Sequence, residues 1–399
     1  MHPLHYTTPI TPEFIHGALE FEQTALGLLP HRLPARARMQ CQDAQLAMAE
    51  SQPAGVRLAL QTAASTLELH VLPTRRAYAG MPPRPPGVYD LVVDGQLARQ
   101  VSAAEGALLN IDPASGAGTL APAPVQVLRF EGLPAAAKTI EIWLPHNETT
   151  ELVSLHADAP LMPATRARTP RWLHHGSSIS QGSNATHPSG TWPAVAARLG
   201  SLDLCNLGFG GSAVLDPFVA RTIRDLPADL VTLKIGINLV NLDAMRMRVF
   251  GPAVHGFLDT IRDGHPTTPL VVVSPIFCPI HEQVPGPTRF DMAALAEGRL
   301  LFEAGGSADQ VREGKLTLEL VRRQLDAIVR QRAQDDPNLH YLDGLQLYGP
   351  ADAARFPLPD ALHPDGATHR LIGERFARLV LPSTFSTACG LRDGPAENP

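Results

Sequence analysis

Four cysteines in 399 residues, at positions 41, 205, 278 and 389, show no C-x-x-C pair and no matched spacing. That excludes a disulfide framework and a thiolate metal site, and leaves reduced thiols in a cytoplasmic protein as the simplest reading. No basic run is present, the net charge is −6 and the pI is about 6.2. A nucleic-acid partner is therefore not expected. No apolar run reaches the roughly 18 residues of a transmembrane helix, so no membrane partner is expected either. The first residues, Met1-His2-Pro3-Leu4-His5-Tyr6, lack a basic segment followed by an apolar one, so no signal peptide is read. Sixteen histidines invite a metal, but no His-Glu-x-x-His or comparable ligand spacing occurs. Neither a metal nor another cofactor is expected.

What remains is a chain with 44% hydrophobic and 18% charged residues, the proportions of a soluble globular protein. Its length exceeds one ordinary core, and two domains are expected. Up to about Pro160, short alternating or apolar segments recur at Val56–Gln61, Thr66–Leu72, Tyr89–Val93, Val125–Phe130 and Thr139–Leu144. Proline- and glycine-rich turns, such as Met81–Gly87 and Asp112–Gly116, separate them. This pattern predicts an antiparallel β-sandwich, with Asp94-Gly95 at a hairpin turn. The sandwich offers no nucleophile beside a base, so it reads as structural or glycan-binding. Prolines around Asp158–Arg166 mark a linker.

Beyond the linker, strands predicted at Arg171–His175, Leu202–Leu207, Leu230–Ile235, Leu270–Ser274 and Leu339–Leu342 alternate with helices. The helices fall at Thr191–Leu199, Pro217–Leu226, Met245–Asp263, Leu316–Ala333 and Ala367–Val380, with Asp216-Pro217 as a capped start. Apolar strands alternating with helices give an α/β fold with a five-stranded parallel sheet covered on both faces. The resulting boundaries are 1–165 for the sandwich, 166–385 for the α/β domain and 386–399 for a tail.

Ligands of open parallel sheets bind beyond the carboxyl ends of the strands. The first such loop reads Gly176-Ser177-Ser178-Ile179-Ser180, a tight turn that presents the Ser178 hydroxyl at the start of a helix. The second reads Gly208-Phe209-Gly210-Gly211-Ser212, whose glycines can aim a backbone N–H at a bound atom. The third, Gly236-Ile237-Asn238, offers a side-chain amide. The last holds Asp360-Ala361-Leu362-His363-Pro364. A carboxylate three residues before a histidine can accept from Nδ1–H, leaving Nε2 free to take a proton from serine.

Together and in order, these blocks resemble the SGNH/GDSL hydrolases, whose motifs carry Ser, Gly, Asn and His. The likeness spans about Arg171 to Leu381. The β-rich segment before it, with Phe130-Glu131-Gly132-Leu133-Pro134 and Glu141-Ile142-Trp143-Leu144-Pro145, is similar to the N-terminal sandwich of two-domain bacterial esterases and acyltransferases. The resemblance implies a flavodoxin-like, three-layer α/β/α hydrolase domain behind a jelly-roll-like sandwich. It implies Ser178 as nucleophile, His363 as base and then acid, and Asp360 as the orienting carboxylate. The oxyanion hole would be the N–H groups of Ser178 and Gly211 with the Asn238 amide, Gly210 being the competing glycine donor. The sequence departs from the family at Ser177 and Leu239, where aspartates are usual.

The activity implied is a serine esterase acting on short-chain acyl esters, of carbohydrates or other small molecules. The alternatives are an acyltransferase using the same acyl-enzyme, and a carbohydrate-binding protein with an inert hydrolase domain. Substrate-facing candidates are Trp192, equally readable as a core tryptophan, Gly210, and one of the strand neighbours His174 and His175, here assigned as His175. His187-Pro188-Ser189-Gly190 is placed as a turn near the mouth. The long segment Pro279–Gly314 reads as a lid or as a contact between subunits of a homo-oligomer, its tip Ala304–Ser307 being the candidate for disorder.

Overall fold

A computed structural model of the chain describes residues 4–78, 84–112, 117–164 and 169–386, the last five of them by backbone alone. Residues 81–83 of the proline-rich cluster, 113–116 of the turn at 112–116, 165–166 of the linker and nearly all of the tail at 386–399 lie outside the described residues.

The first part forms two sheets, of eight and six strands. Strand Leu67–Tyr78 shows why they face each other. Leu67, Leu69 and Val71 are buried while Glu68 and His70 turn away, so one face is apolar with a period of two. Leu58, Leu60, Tyr89, Leu91, Ile140 and Ile142 of the other sheet join the same core with Leu128, Phe130, Leu152 and Leu155. The hairpin turns at Asp94 (φ 48°) and Gly95 (φ 79°), with Val93 opposite Gln96. That double left-handed geometry is the reason the Asp-Gly pair sits there. One pairing departs from the antiparallel expectation: Leu67–Tyr78 runs parallel to Ala107–Ile111.

The second part is a parallel sheet of β1 (Arg171–Gly176), β2 (Asp203–Gly208), β3 (Leu230–Lys234), β4 (Leu270–Val273) and β5 (Leu339–Leu342), in the spatial order 2-1-3-4-5. This is the doubly wound, flavodoxin-like order, with its switch point between β1 and β3. All five residues of β3 are buried, as two helical layers demand. Helices Trp192–Leu199, Pro217–Asp225, Met247–Arg262, Leu318–Arg332 and Gly366–Ser386 form those layers. Asp216 occupies the cap position before Pro217, but its carboxylate does not bond the helix end. Burial and the nearby Asp43 push that carboxyl up to about 6. None of the described helices is long and apolar enough to cross a membrane.

A short helix within the β-rich part, Ala44–Ser51, is absent from the sequence-based expectation. Asp43 caps it by accepting from the Leu46 N–H at 2.6 Å. Its buried residues, Leu46, Ala49 and Glu50, anchor it, and its first turn reaches the loop after β2.

Candidate active site

β1 ends at Gly176, where only glycine fits: a Cβ there would stand 2.3 Å from Ser180 Oγ and 3.1 Å from the Lys234 carbonyl. The chain then enters a single helical turn, Ser178–Gln181, whose Ser180 and Gln181 N–H groups bond to the Ser177 carbonyl. Ser178 is the first residue of that turn, so its own N–H has no intrahelical acceptor.

The Ser178 hydroxyl lies 2.9 Å from Nε2 of His363. Nδ1 of His363 lies 2.8 Å from Oδ2 of Asp360. A carboxylate can only accept here, so Nδ1 carries the proton and Nε2 is the free base facing serine. Asp360 is further held by the N–H groups of Leu362 (2.9 Å) and His363 (2.6 Å) and by Asn184 Nδ2 (3.0 Å). Burial alone would push its pKa up, but the His363 hydrogen bond and charge and the backbone donors outweigh it. The carboxyl is held below its usual value. Ser178, His363 and Asp360 thus come together from loops far apart in sequence.

The loop after β2 lies on the serine: a Cβ at Gly210 would be 3.5 Å from Ser178 Cβ. The Gly210 N–H donates to Gln181 Oε1 at 2.7 Å. Gly210 is therefore engaged, while among the described residues the Gly211 and Ser178 N–H groups have no partner. Asn238 Oδ1 accepts from the Ala213 N–H at 3.1 Å, which fixes the amide's orientation and leaves Nδ2 as a donor. Nearly the whole Asn238 side chain is buried.

The other substrate-facing candidates do not stand at the serine. Trp192 is fully buried, packed on Trp172, Phe376 and His174, and is a core residue rather than a pocket wall. His175 is buried between Phe209 and Phe257, with Nδ1 on the Leu207 carbonyl at 2.7 Å. His174 bridges Thr232 and Ser180 beneath the sheet end. Strand alternation correctly splits the pair, but helices cover both faces of β1 and neither side opens to the site. Burial lowers both imidazoles, His175 to about 4. His187 and Ser189 are tied to Asp90 of the sandwich, the imidazole at 2.6 Å, so that turn is a junction between the two parts.

Segment Pro279–Gly314 is folded. Strands Thr288–Phe290 and Phe302–Ala304 pair as a hairpin, and Gly305 N–H bonds the Pro287 carbonyl at 2.7 Å. The Phe302 N–H donates to the Asp360 carbonyl at 3.0 Å, and its ring meets the His363 imidazole edge-on at 5.8 Å. The hairpin therefore braces the His363 loop.

Sequence reasoning missed Phe302, Asn184 and a set of polar side chains behind the β2 loop. Arg32, with no exposed surface, donates from one terminal nitrogen to the carbonyls of Asn206 (2.9 Å) and Gly208 (2.6 Å), and from Nε to Gln52 (2.6 Å). Burial pulls its guanidinium down to about 10 against the opposing pull of Glu50, so it stays charged. Gln181 Nε2 donates to Gln52 Oε1 and to the His146 carbonyl. No local motif announces these residues; an arginine in a β-rich stretch reads as surface. A cavity of about 790 Å³ between the sandwich and helix Trp192–Leu199 is lined by Trp143, Arg57, Asp203 and Arg198. Neither Ser178 nor His363 lines it.

The doubly wound parallel sheet thus carries serine, histidine and aspartate together beyond its strand ends. Residues 175–371 match the profile of the GDSL-like lipase/acylhydrolase family, and this stretch belongs to it. A comparison with curated proteins finds no match. Among solved structures, the salicylyl-acyltransferase SsfX3 from a tetracycline biosynthetic pathway is 28% identical with a TM-score of 0.75, covering 96% of this chain and 97% of that one. A family two carbohydrate esterase from Clostridium thermocellum, in complex with cellohexaose, is 13% identical with a TM-score of 0.55 over 84% and 93%. Another from Cellvibrio japonicus is 12% identical with a TM-score of 0.53 over 96% and 98%. The two esterases share the fold.

Proposed function

We propose that the chain is a serine esterase that cleaves short-chain acyl esters through a covalent acyl-Ser178. His363 Nε2 removes the hydroxyl proton as Ser178 Oγ attacks the ester carbonyl. The carbonyl oxygen gains negative charge and is met by the N–H groups of Ser178 and Gly211 and by Asn238 Nδ2. His363 then delivers its proton to the departing alcohol as the C–O bond breaks. Water, deprotonated by the same imidazole, attacks the acyl group and releases the acid. Asp360 keeps Nδ1 protonated and stabilises the imidazolium. On this reading, residues 1–165 are a sandwich that completes the site and 166–385 carry the chemistry.

One observation carries the proposal: Ser178 Oγ is 2.9 Å from an imidazole whose other nitrogen is held by a buried carboxylate. The test is turnover of p-nitrophenyl acetate with Ser178→Ala as control. Activity lost in that variant is expected; equal turnover in both proteins would remove Ser178 as the nucleophile, and no turnover of any short ester by the unaltered protein, with tight sugar binding, would favour a carbohydrate-binding protein instead. A second reading, acyl transfer, is supported by the likeness to a salicylyl-acyltransferase over nearly the whole chain. There an alcohol takes the place of water in the second step. Product analysis for free acid against transferred ester separates the two.

A further inference from the structure

The oxyanion loop contains two consecutive glycines, and its working donor belongs to the peptide plane between them. That plane carries the Gly210 carbonyl on one side and the Gly211 N–H on the other. In a trans peptide the two point in opposite directions. Its tilt is set by ψ of Gly210 and φ of Gly211, the two torsions that glycine restrains least. Gln181 holds the N–H of Gly210, but that group lies in the preceding plane and leaves this rotation free.

The second restraint comes from the β-rich part. Gln45 Nε2, on the first turn of helix Ala44–Ser51, donates to the Gly210 carbonyl at 2.7 Å. The amide also lies against Gly211, where a Cβ would stand 3.2 Å from Gln45 Nε2. Gly211 itself has φ +74°, so the plane is held in a left-handed turn.

We propose that Gln45 is a positioning residue for the esterase reaction. By fixing the Gly210 carbonyl it aims the opposed Gly211 N–H at the developing oxyanion, and by polarising the peptide it strengthens that donor. The proposal rests on the reading of Gly211 as an oxyanion donor. It gives the sandwich a catalytic duty distinct from substrate binding. Gln45 touches neither substrate nor Ser178 and acts through the backbone alone.

The test uses the full chain with Gln45→Ala and Gln45→Glu, the second keeping the shape but replacing the donor with an acceptor. The readouts are kcat, KM, thermal midpoint, and inhibition by a phenylboronic acid, whose tetrahedral adduct with serine places an oxygen where the oxyanion forms. Losing a whole oxyanion donor costs about 10²–10³ in turnover; losing its aim should cost about tenfold in Gln45→Ala and about a hundredfold in Gln45→Glu. Boronate affinity should fall in parallel, with KM and thermal midpoint unchanged because Gln45 is exposed. Wild-type kcat in both variants, with Asn238→Ala impaired, would overturn the role of Gln45 and leave the esterase reading standing. A change confined to KM or to the thermal midpoint would overturn it as well, assigning Gln45 to packing. Full turnover in Ser178→Ala would remove the underlying reading and this proposal with it.

Discussion

Asn184 Nδ2 donates at 3.0 Å to Oδ2 of Asp360, the same oxygen that faces His363 Nδ1 at 2.8 Å. With the N–H groups of Leu362 and His363 on Oδ1, every partner around this carboxylate is a donor. Asp360→Asn would put an amide NH₂ against at least one of them. The imidazole would then lose its Nδ1 acceptor and shift tautomer, leaving Nε2 protonated toward serine. On the proposed mechanism, turnover of p-nitrophenyl acetate should fall about 10⁴-fold with KM little changed, the cost of this exchange in a Ser-His-Asp protease.

Asn238 Oδ1 accepts from the Ala213 N–H, and the proposed reaction asks Nδ2 to donate to the oxyanion. Asn238→Ala should lower kcat about 10²–10³-fold through loss of the Nδ2 donor. It should also destabilise the fold by about 1–3 kcal/mol, because the buried Ala213 N–H loses its acceptor. Asn238→Asp keeps that acceptor and should retain more stability while remaining inactive. Denaturant unfolding alongside steady-state kinetics separates the two roles.

Arg32 links the sandwich to the strand that leads into the loop of Gly210 and Gly211. Arg32→Met would leave the carbonyls of Asn206, Gly208 and Gln52 buried without donors, and Glu50 without its neighbouring cation. A loss of about 3–5 kcal/mol in unfolding free energy is expected. Arg32→Lys should recover only part of it, since an ammonium cannot reproduce the planar fork.

Mild acid should destabilise the protein through its buried imidazoles. Burial lowers His146 to about 3, His175 to about 4, His369 to about 4 and His174 well below its usual value. Below pH 6.5 the unfolded chain takes up these protons and the folded chain does not, so stability falls as pH falls, down to the folded values. At pH 5 each such histidine costs on the order of 2 kcal/mol. Asp360, held low, adds its own loss only under more acid conditions. The thermal midpoint should therefore drop steeply between pH 7 and 5, with proton uptake on unfolding measurable by calorimetry in buffers of differing ionisation heat.

The α/β part was legible because its signals are local. Apolar runs bounded by Gly176, Gly208 and Gly236 named three strand ends, and the Asp360–His363 spacing fits one turn. The sandwich was legible as a class, but helix Ala44–Ser51 was hidden among small residues in a stretch dominated by strand signals. Trp192 could not be placed because an indole suits a pocket wall and a core equally, and the stacking against Trp172 and Phe376 that decides it is tertiary. The departure at Ser177 was visible, and its outcome is a fully buried hydroxyl with no partner among the described residues. Contacts across 174 or 165 residues, such as Arg32 to Asn206 and Gln45 to Gly210, leave no periodicity to read.

The seam between the halves has a corollary for chimaeras. Grafting a foreign sandwich onto this hydrolase sheet would import a new tenant at positions 32, 45 and 52 while the strand-end loop kept its old geometry. Domain exchange should therefore succeed only when those three travel together with Gln181 and the 206–211 stretch, a unit of inheritance that straddles the boundary between modules.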